Sequence, residues 1–206
     1  MLKSKTSCLF LLFLISFIKI NAQSSPPKNL YLIATFGLAR SEDGLAFLAK
    51  QSTSQWTPMV NIGLGYRFGK HFGVEILSSS MITSLKAEGT LISNTQNAKV
   101  TTRHSSIVLS PVFYLPFTTK SEVFVRTGAG LLLSTTKINS SANPNFSKSS
   151  SNLGYMVAIG YAYKVNPKLT ITGQFDFSDA YGKNDVWTGD LGQLNFGIRY
   201  SLTNAK

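Results

Sequence analysis

One segment of the chain alternates between apolar and polar side chains for thirteen residues, from Trp56 to Phe68. The apolar positions are Trp56, Pro58, Val60, Ile62, Leu64, Tyr66 and Phe68. Because successive side chains of a β-strand point to opposite faces, the segment predicts a strand with one apolar and one polar face. Ordinary strands have about five or six residues, whereas about 9–11 tilted residues cross a bilayer. The segment is therefore long enough to span a membrane.

Seven further segments show the same alternation, so the sequence predicts eight strands. The other seven cover residues 30–40, 72–80, 105–115, 123–133, 153–163, 169–181 and 194–202. Their connections are alternately short and long, and the long ones cover residues 41–55, 84–104, 134–152 and 182–192. Short turns on one side and long loops on the other are typical of outer-membrane barrels. The predicted fold class is all-β: an eight-stranded antiparallel up-and-down transmembrane β-barrel.

Two local features refine this prediction. Pro111 lies in the middle of the fourth strand and removes a ladder hydrogen bond, so we expect a bulge there and a shift in the alternation after it. The third long connection, residues 134–152, is a Ser/Thr/Asn tract that we expect to be a mobile loop.

The two faces of the predicted strands differ in side-chain size. The polar faces are rich in small residues, such as Gly63, Gly65, Gly128 and Gly160, and the apolar faces are bulky. A soluble barrel would turn its apolar faces inward and its polar faces toward water. Glycine weakens a soluble strand but leaves room in a crowded lumen. We therefore interpret the apolar faces as lipid-facing, while composition alone also allows a soluble secreted β-protein.

The N-terminal residues predict a secretory signal peptide. A basic start is followed by the short apolar run Leu9–Ile18, which is too short for a spanning helix, and then by Ala22 and Gln23. Cleavage is expected between Ala22 and Gln23. The domain prediction is a signal peptide at residues 1–22 and an outer-membrane β-barrel domain at 23–206, with no second domain after it.

Removal of the signal peptide changes the cysteine count and the charge. Cys8 is lost, so the mature chain offers no disulfide, thiol nucleophile or thiolate metal site. The formal charge falls from +11 to +8, because Lys3, Lys5 and Lys19 leave with the peptide. A basic protein favours anionic neighbours such as lipid headgroups or lipopolysaccharide phosphates. Export argues against nucleic acid as a partner.

Aromatic residues collect at both ends of the predicted strands, as interfacial girdles of a membrane barrel require. The short-turn ends carry Tyr66, Phe68, Phe72, Phe113, Tyr161, Tyr163 and Tyr200. The long-loop ends carry Trp56 and Tyr181, with Trp187 as a further candidate. We predict that these residues form the aromatic girdle.

Three segments carry a resemblance to a known family: Phe124–Leu133 (FVRTGAGLLL), Leu153–Tyr163 (LGYMVAIGYAY) and Leu194–Leu202 (LNFGIRYSL). The chain resembles the small, porin-like outer-membrane β-barrels of Gram-negative bacteria, akin to the membrane domain of outer-membrane protein A and to the outer-membrane protein X type. The resemblance implies location in the bacterial outer membrane and insertion by the barrel-assembly machinery. Family members usually end on a C-terminal aromatic residue, whereas here Thr203–Lys206 extends past Tyr200.

Five charged residues fall on the polar faces of the predicted strands. They are Arg67, Glu75, Arg126, Asp176 and Arg199. An eight-stranded barrel is just wide enough to be filled by side chains, and charges inside it must pair or keep water. We therefore predict a lumen charge network that plugs the barrel. The alternative is a narrow ion-conducting pore, which three arginines against two carboxylates would make anion-preferring.

His104 and Ser106 form a His-x-Ser pair at the start of the fourth strand. Some outer-membrane barrels deacylate lipid A with Ser, His and Glu, and such a nucleophile needs a base with an acidic partner. The next glutamate along the chain is Glu122, across a short turn and at the opposite membrane face. We therefore expect no enzyme, no metal site and no cofactor, and keep a lipid A-modifying enzyme as the less favoured alternative.

The predicted long loops are basic. They carry Lys86, Lys99, Arg103, Lys137 and Lys148 against Glu88. Such cations either only keep the loops soluble, or bridge lipopolysaccharide phosphates, or bind an anionic host or matrix polymer. We predict a structural or surface-interaction role, in adhesion or envelope integrity, exercised through these loops. The expected partners are outer-membrane lipids, lipopolysaccharide and a host or matrix ligand, and the protein is expected to be a monomer.

Overall fold

The computed structural model describes residues 29–41, 48–52, 56–91, 97–140, 146–180 and 191–203. These residues form ten β-strands: β1 (Asn29–Ser41), β2 (Leu48–Ser52), β3 (Thr57–Arg67), β4 (Phe72–Met81), β5 (Leu85–Leu91), β6 (Asn97–Pro116), β7 (Ser121–Ser140), β8 (Phe146–Lys164), β9 (Leu169–Ala180) and β10 (Leu191–Ser201). In the described ranges, no helix has the length and apolar character needed to cross a membrane. The predicted all-β class is confirmed.

Eight of the strands close into a barrel. They pair antiparallel in the order β1, β3, β4, β6, β7, β8, β9 and β10, and β10 pairs back with β1. Following the paired residues once around from Leu132 on β7 leads back to β7 at Glu122, a shift of ten residues (132 − 122). Such a shift over eight strands requires a strand tilt of about 40°. The predicted eight-stranded up-and-down barrel is confirmed.

The strands on one side of the barrel are longer than the sequence predicts. β6, β7 and β8 have 20, 20 and 19 residues, and their outer parts stay paired beyond the barrel. β5 pairs with the outer part of β6, and β2 pairs with β5. We call this extension the projecting sheet: β2, β5, and residues 97–104 of β6, 134–140 of β7 and 146–152 of β8. The tract at 134–152, predicted as a mobile loop, is instead a β-hairpin over its described residues.

Pro111 does not interrupt the register of β6. The pairs Leu109–Ala129 and Val112–Arg126, on either side of it, belong to one continuous register with β7. The pairing of β6 with β4 also runs through Pro111 without a shift. The expected bulge is therefore absent, and the alternation continues unchanged after Pro111. The missing N–H of Pro111 affects only the local pairing of β6 with β7.

The outer face of the barrel is apolar, and the inner face is filled by side chains. Large exposed apolar side chains on the outer face include Phe36, Ile62, Leu109, Ile159 and Phe196. Inside, a Cβ atom on Gly65 would overlap the ring of Tyr31, and one on Gly160 would overlap the ring of Phe124. Glycine at these two positions makes room for aromatic rings in the lumen.

Candidate functional site

Glu75 on β4 is the centre of an ionic network inside the barrel, and its side chain is fully buried. Its Oε2 accepts a hydrogen bond from Nη1 of Arg126 at 2.7 Å, and its Oε1 lies 3.1 Å from Nη2 of Arg199. The Tyr31 hydroxyl donates to Oε1 at 2.7 Å and lies 2.6 Å from the Tyr114 hydroxyl. Groups from β1, β6, β7 and β10 therefore converge on one carboxylate.

Asp176 on β9 is the second carboxylate of the network. Its Oδ1 accepts a hydrogen bond from Nη2 of Arg126 at 2.7 Å, so the two terminal nitrogens of Arg126 bridge two carboxylates. The side-chain amides of Gln174, at 2.8 Å, and of Asn195 donate to Oδ2. Buried charges are tolerated when each one is paired and hydrogen-bonded, and Asp176 and Glu75 both meet this condition.

A further ion pair lies nearer the short-turn end of the lumen. Nη1 of Arg67 donates to both carboxylate oxygens of Glu122, at 3.0 and 2.9 Å. The Arg67 guanidinium also lies 4.0 Å from the ring centre of Tyr114, and that of Arg199 lies 4.1 Å from the ring centre of Phe124. Side-chain exposure is 15% for Arg67 but 1% for Arg126. The network is therefore most buried at its centre.

All five charges that the sequence assigns to the polar faces lie inside the barrel, and the structure adds Glu122. In the part of the chain that the structure describes, three guanidiniums thus meet three carboxylates, without the predicted excess of arginine inside. Sequence reasoning also missed Tyr31 and Tyr114, which the alternation places on the inner faces of β1 and β6. Glu122 falls in the predicted turn, because the alternation of β7 becomes clear only at Val123.

Two clusters of apolar side chains lie inside the lumen on the long-loop side of the network. One buried cluster contains Ile33, Leu77, Val108, Leu132, Met156 and Ala180 together with Tyr31, and a second contains Ala39, Met59, Met81 and Leu191. We call these two clusters, without Tyr31, the apolar plug. Along the inner face of β7, Arg126 comes first and Leu132 lies six residues farther from the short turn. The predicted charge network therefore does not plug the lumen alone: the apolar plug lies toward the loops, and between its two clusters lie the buried Thr35 and Asn61, hydrogen-bonded to each other at 2.8 Å.

His104 and Ser106 lie on the inner face of β6, far from Glu122. His104 is buried and pairs in register with Ser134 on β7. Glu122 lies twelve residues along β7 from Ser134 (134 − 122), or about 40 Å of strand, and its carboxylate is bound to Arg67. These residues do not form a catalytic triad. Across the part of the chain that the structure describes, no three His, Cys, Asp or Glu side chains are grouped to hold a metal ion.

The predicted girdle residues that are described lie on the outer face. Tyr66, Phe68, Tyr161, Tyr163 and Tyr200 are exposed, and Phe72 and Phe113 are half-buried against each other, with ring centres 5.2 Å apart. Trp56 is exposed at the opposite end of β3. Tyr181, Trp187 and the expected cleavage site at Ala22 and Gln23 lie outside the described residues. A girdle at the two membrane interfaces stays a prediction.

The basic residues of the predicted loops lie on strands of the projecting sheet. Lys86 is on β5, Lys99 and Arg103 are on β6, Lys137 is on β7 and Lys148 is on β8, and all five are exposed. The alternation places the first four on the outer face, in line with the lipid-facing residues below them, and places Lys148 on the other face. Four cations therefore point away from the barrel axis, on the same side of the sheet as the lipid-facing residues.

Comparison with known proteins decides the family. Residues 8–201 match the profile described as the outer membrane protein β-barrel domain. The chain belongs to this family. It is a protein of the bacterial outer membrane, as the resemblance in the sequence implied. A comparison with curated proteins gives no match.

Solved structures of outer-membrane proteins share this fold. Neisserial surface protein A is 17% identical, with a TM-score of 0.57, covering 84% of this chain and 97% of its own. Ail, the attachment invasion locus protein of Yersinia pestis, in complex with the heparin analogue sucrose octasulfate, is 15% identical, with a TM-score of 0.53 and coverages of 85% and 99%. OprG of Pseudomonas aeruginosa is 13% identical, with a TM-score of 0.56 and coverages of 89% and 99%. At these identities the likeness concerns the fold.

Proposed function

We propose that this protein is a closed, non-conducting, non-enzymatic barrel that holds the projecting sheet at the cell surface, where the sheet binds an anionic partner. The role is structural or surface-interacting, in envelope integrity or adhesion. The observation that carries the proposal is the contrast between the two parts of the molecule. The lumen is filled by paired charges and apolar side chains, whereas five cations are exposed on the sheet that extends beyond the barrel.

A narrow pore is the second candidate, and the contents of the lumen argue against it. An ion would have to pass the apolar plug, whose side chains are between 0% and 5% exposed. Taking a charge through such surroundings costs far more than thermal energy. A permeating ion would also have to displace the bridge from Arg126 to Glu75 and Asp176, in which every charge is already paired.

Single-channel recording tests the closed lumen. We expect purified protein in planar bilayers to carry no steady current. A current in the wild-type protein that changes when Arg126 is replaced by Ala would reject the closed barrel and favour the pore.

A shortened variant tests the role of the projecting sheet. Ser134 and Ser150 are paired across β7 and β8, so a two-residue Asn-Gly turn can replace residues 135–149 while the barrel pairs remain. In a strain that lacks the protein, we expect wild-type protein to restore resistance to detergent or serum and the shortened variant to fail. Heat-modifiable migration on a gel serves as the control that the shortened barrel still folds. Full restoration by a folded shortened variant would refute the role of the hairpin.

Lipid A-modifying activity is the weakest candidate, because a serine, its base and an acid must lie within hydrogen-bond reach. Here Glu122 and His104 are near opposite ends of the barrel. Lipid A mass profiles with and without the protein test this, and we expect identical profiles.

A further inference from the structure

We infer that the outer face of the projecting sheet binds the phosphate groups of lipopolysaccharide in the surrounding leaflet, through Lys86, Arg103 and Lys137. We call these three residues the cation triad. The inference rests on the proposed function and specifies its anionic partner.

Strand register brings the triad together around one hydroxyl. Lys86 pairs with Thr101, and Thr101 pairs with Lys137, so the two lysines flank this threonine in a row across β5, β6 and β7. Arg103 lies two residues from Thr101 on the same face and is diagonal to both lysines. Diagonal neighbours in a sheet lie about 7–8 Å apart, and two strand spacings measure about 10 Å. The triad therefore forms a patch the size of a phosphorylated sugar.

The triad lies just beyond the lipid-facing part of the wall. The outermost large apolar residue on this face of β6 is Ile107, and on β7 it is Leu133. Arg103 and Lys137 are each four residues farther out, which on tilted strands is about 10 Å along the membrane normal. Polar headgroups occupy a layer of about 5–7 Å outside the hydrocarbon core, so the backbone of the triad lies just above that layer. Long Lys and Arg side chains can extend back from there to the phosphates and sugars.

The direction of the side chains favours a lipid over a polymer from the medium. On β6, Val100 and Thr102 are buried toward the barrel axis, whereas Thr101 and Arg103 point outward. The triad is continuous with the wall that lipids already cover. A ligand in contact with it therefore lies beside the barrel, in the leaflet, and not above its mouth.

The charges of the triad are available to an anion. Among the residues whose side chains the structure describes, which do not include Glu88, no carboxylate forms an ion pair with Lys86, Arg103 or Lys137. In the register, Glu88 lies opposite Lys99, which is outside the triad. A guanidinium grips a phosphate with two hydrogen bonds, and lysines add point charges, so this set suits a phosphate ester.

The experiment uses the mature protein in phosphatidylcholine nanodiscs that contain a minor fraction of diphosphorylated lipid A or of dephosphorylated lipid A. Lipid that stays bound to the protein is quantified by mass spectrometry. The triad variant is Lys86→Gln, Arg103→Gln and Lys137→Gln. The matched control is Lys120→Gln, Lys164→Gln and Lys168→Gln, which removes the same charge from exposed residues at the short-turn end.

We expect wild-type protein to retain diphosphorylated over dephosphorylated lipid A, and the triad variant to lose that preference by about a hundredfold, because each of the three cations near an anionic surface contributes about fivefold. The control should keep it. Equal retention of both lipids by wild-type protein, or an equal loss in the control, would overturn the inference. Binding of heparin that depends on the triad, with lipid retention unchanged, would also overturn it and assign the triad to a polymer from the medium.

Separate measurements report on folding and on the proposed function. Heat-modifiable migration identifies any variant that fails to fold, and Arg103→Lys against Arg103→Gln then gives the same test with one substitution, since only the first keeps the charge. The proposed function predicts no current through the barrel and an envelope resistance that requires the hairpin. If both results are obtained but the protein does not retain lipid A, the lipid inference is rejected and the proposed function is kept.

Discussion

Arg126 bridges two carboxylates that come from different strands, Glu75 on β4 and Asp176 on β9. Two carboxylates that are far apart in sequence thus depend on one guanidinium. Replacing a buried ion pair as a whole can be neutral, but removing one partner leaves the others charged and without compensation. We therefore expect the stability of the lumen to depend most on Arg126.

We predict that Arg126→Met destabilises the folded barrel by about 3–5 kcal/mol, because it leaves buried Asp176 without its cation and Glu75 with Arg199 alone. Urea unfolding in lipid or detergent micelles measures this. The matched control is Arg67→Met, which removes the same group from a pair with partial exposure and should cost clearly less. Equal losses for the two variants would contradict the central place of Arg126.

The inner glycines make a second prediction at this scale. Gly160→Ala places a Cβ atom against the ring of Phe124, and we expect a loss of about 1–3 kcal/mol from overpacking. Gly173→Ala on the neighbouring strand β9 is the control, since its nearest neighbours, two atoms of the Phe196 ring, lie at 3.4 Å. Unfolding midpoints of the two variants should differ, and a tolerated Gly160→Ala would mean that the Phe124 ring can move.

At the scale of the strand, β6 carries a proline without a bulge. Its register with β4 and β7 is continuous, so the backbone at Pro111 already has strand geometry. The ladder with β7 lacks the pairs between Leu109–Ala129 and Val112–Arg126, which is where an N–H at position 111 would bond. The defect is one missing hydrogen bond.

We therefore predict that Pro111→Val stabilises the barrel by about 1 kcal/mol, since it restores one ladder hydrogen bond and keeps an apolar side chain on the lipid-facing side. The urea midpoint should rise with an unchanged slope. A lower midpoint would indicate that the strand at this point is shaped to the proline ring.

Strand lengths also show where sequence patterns stop being informative. The alternation predicts the lipid-facing part of every barrel strand, because lipid requires an apolar residue at each second position. In the projecting sheet neither face is consistently apolar: the hairpin of residues 134–140 and 146–152 is mostly Ser, Thr, Asn and Lys on both faces, so no alternation marks it. β2 and β5 were missed for the same reason.

At the scale of the whole molecule, the lumen has two seals in series. The network around Glu75 lies toward the short turns, and the apolar plug lies toward the loops. Because the two seals use different chemistry, loss of one leaves the other intact.

We predict that neither Arg126→Ala alone nor the triple change Leu77→Ala, Leu132→Ala and Met156→Ala opens a current in planar bilayers. The combined variant should conduct, because water can then fill the lumen from end to end. Heat-modifiable migration confirms folding of each variant. A current from the Arg126→Ala protein alone would refute the second seal.

The sequence by itself determined the architecture: eight lipid-crossing strands, their outer and inner faces, and the inward direction of Arg67, Glu75, Arg126, Asp176 and Arg199. It did so because a strand in lipid has a strict two-residue period that can be read locally. Only the tertiary structure decided which charges meet, that Glu122 completes the set, that apolar clusters pack inside the lumen, and that Lys86, Arg103 and Lys137 share one patch. Those relations depend on register and on the ten-residue shift around the barrel, which no local pattern encodes.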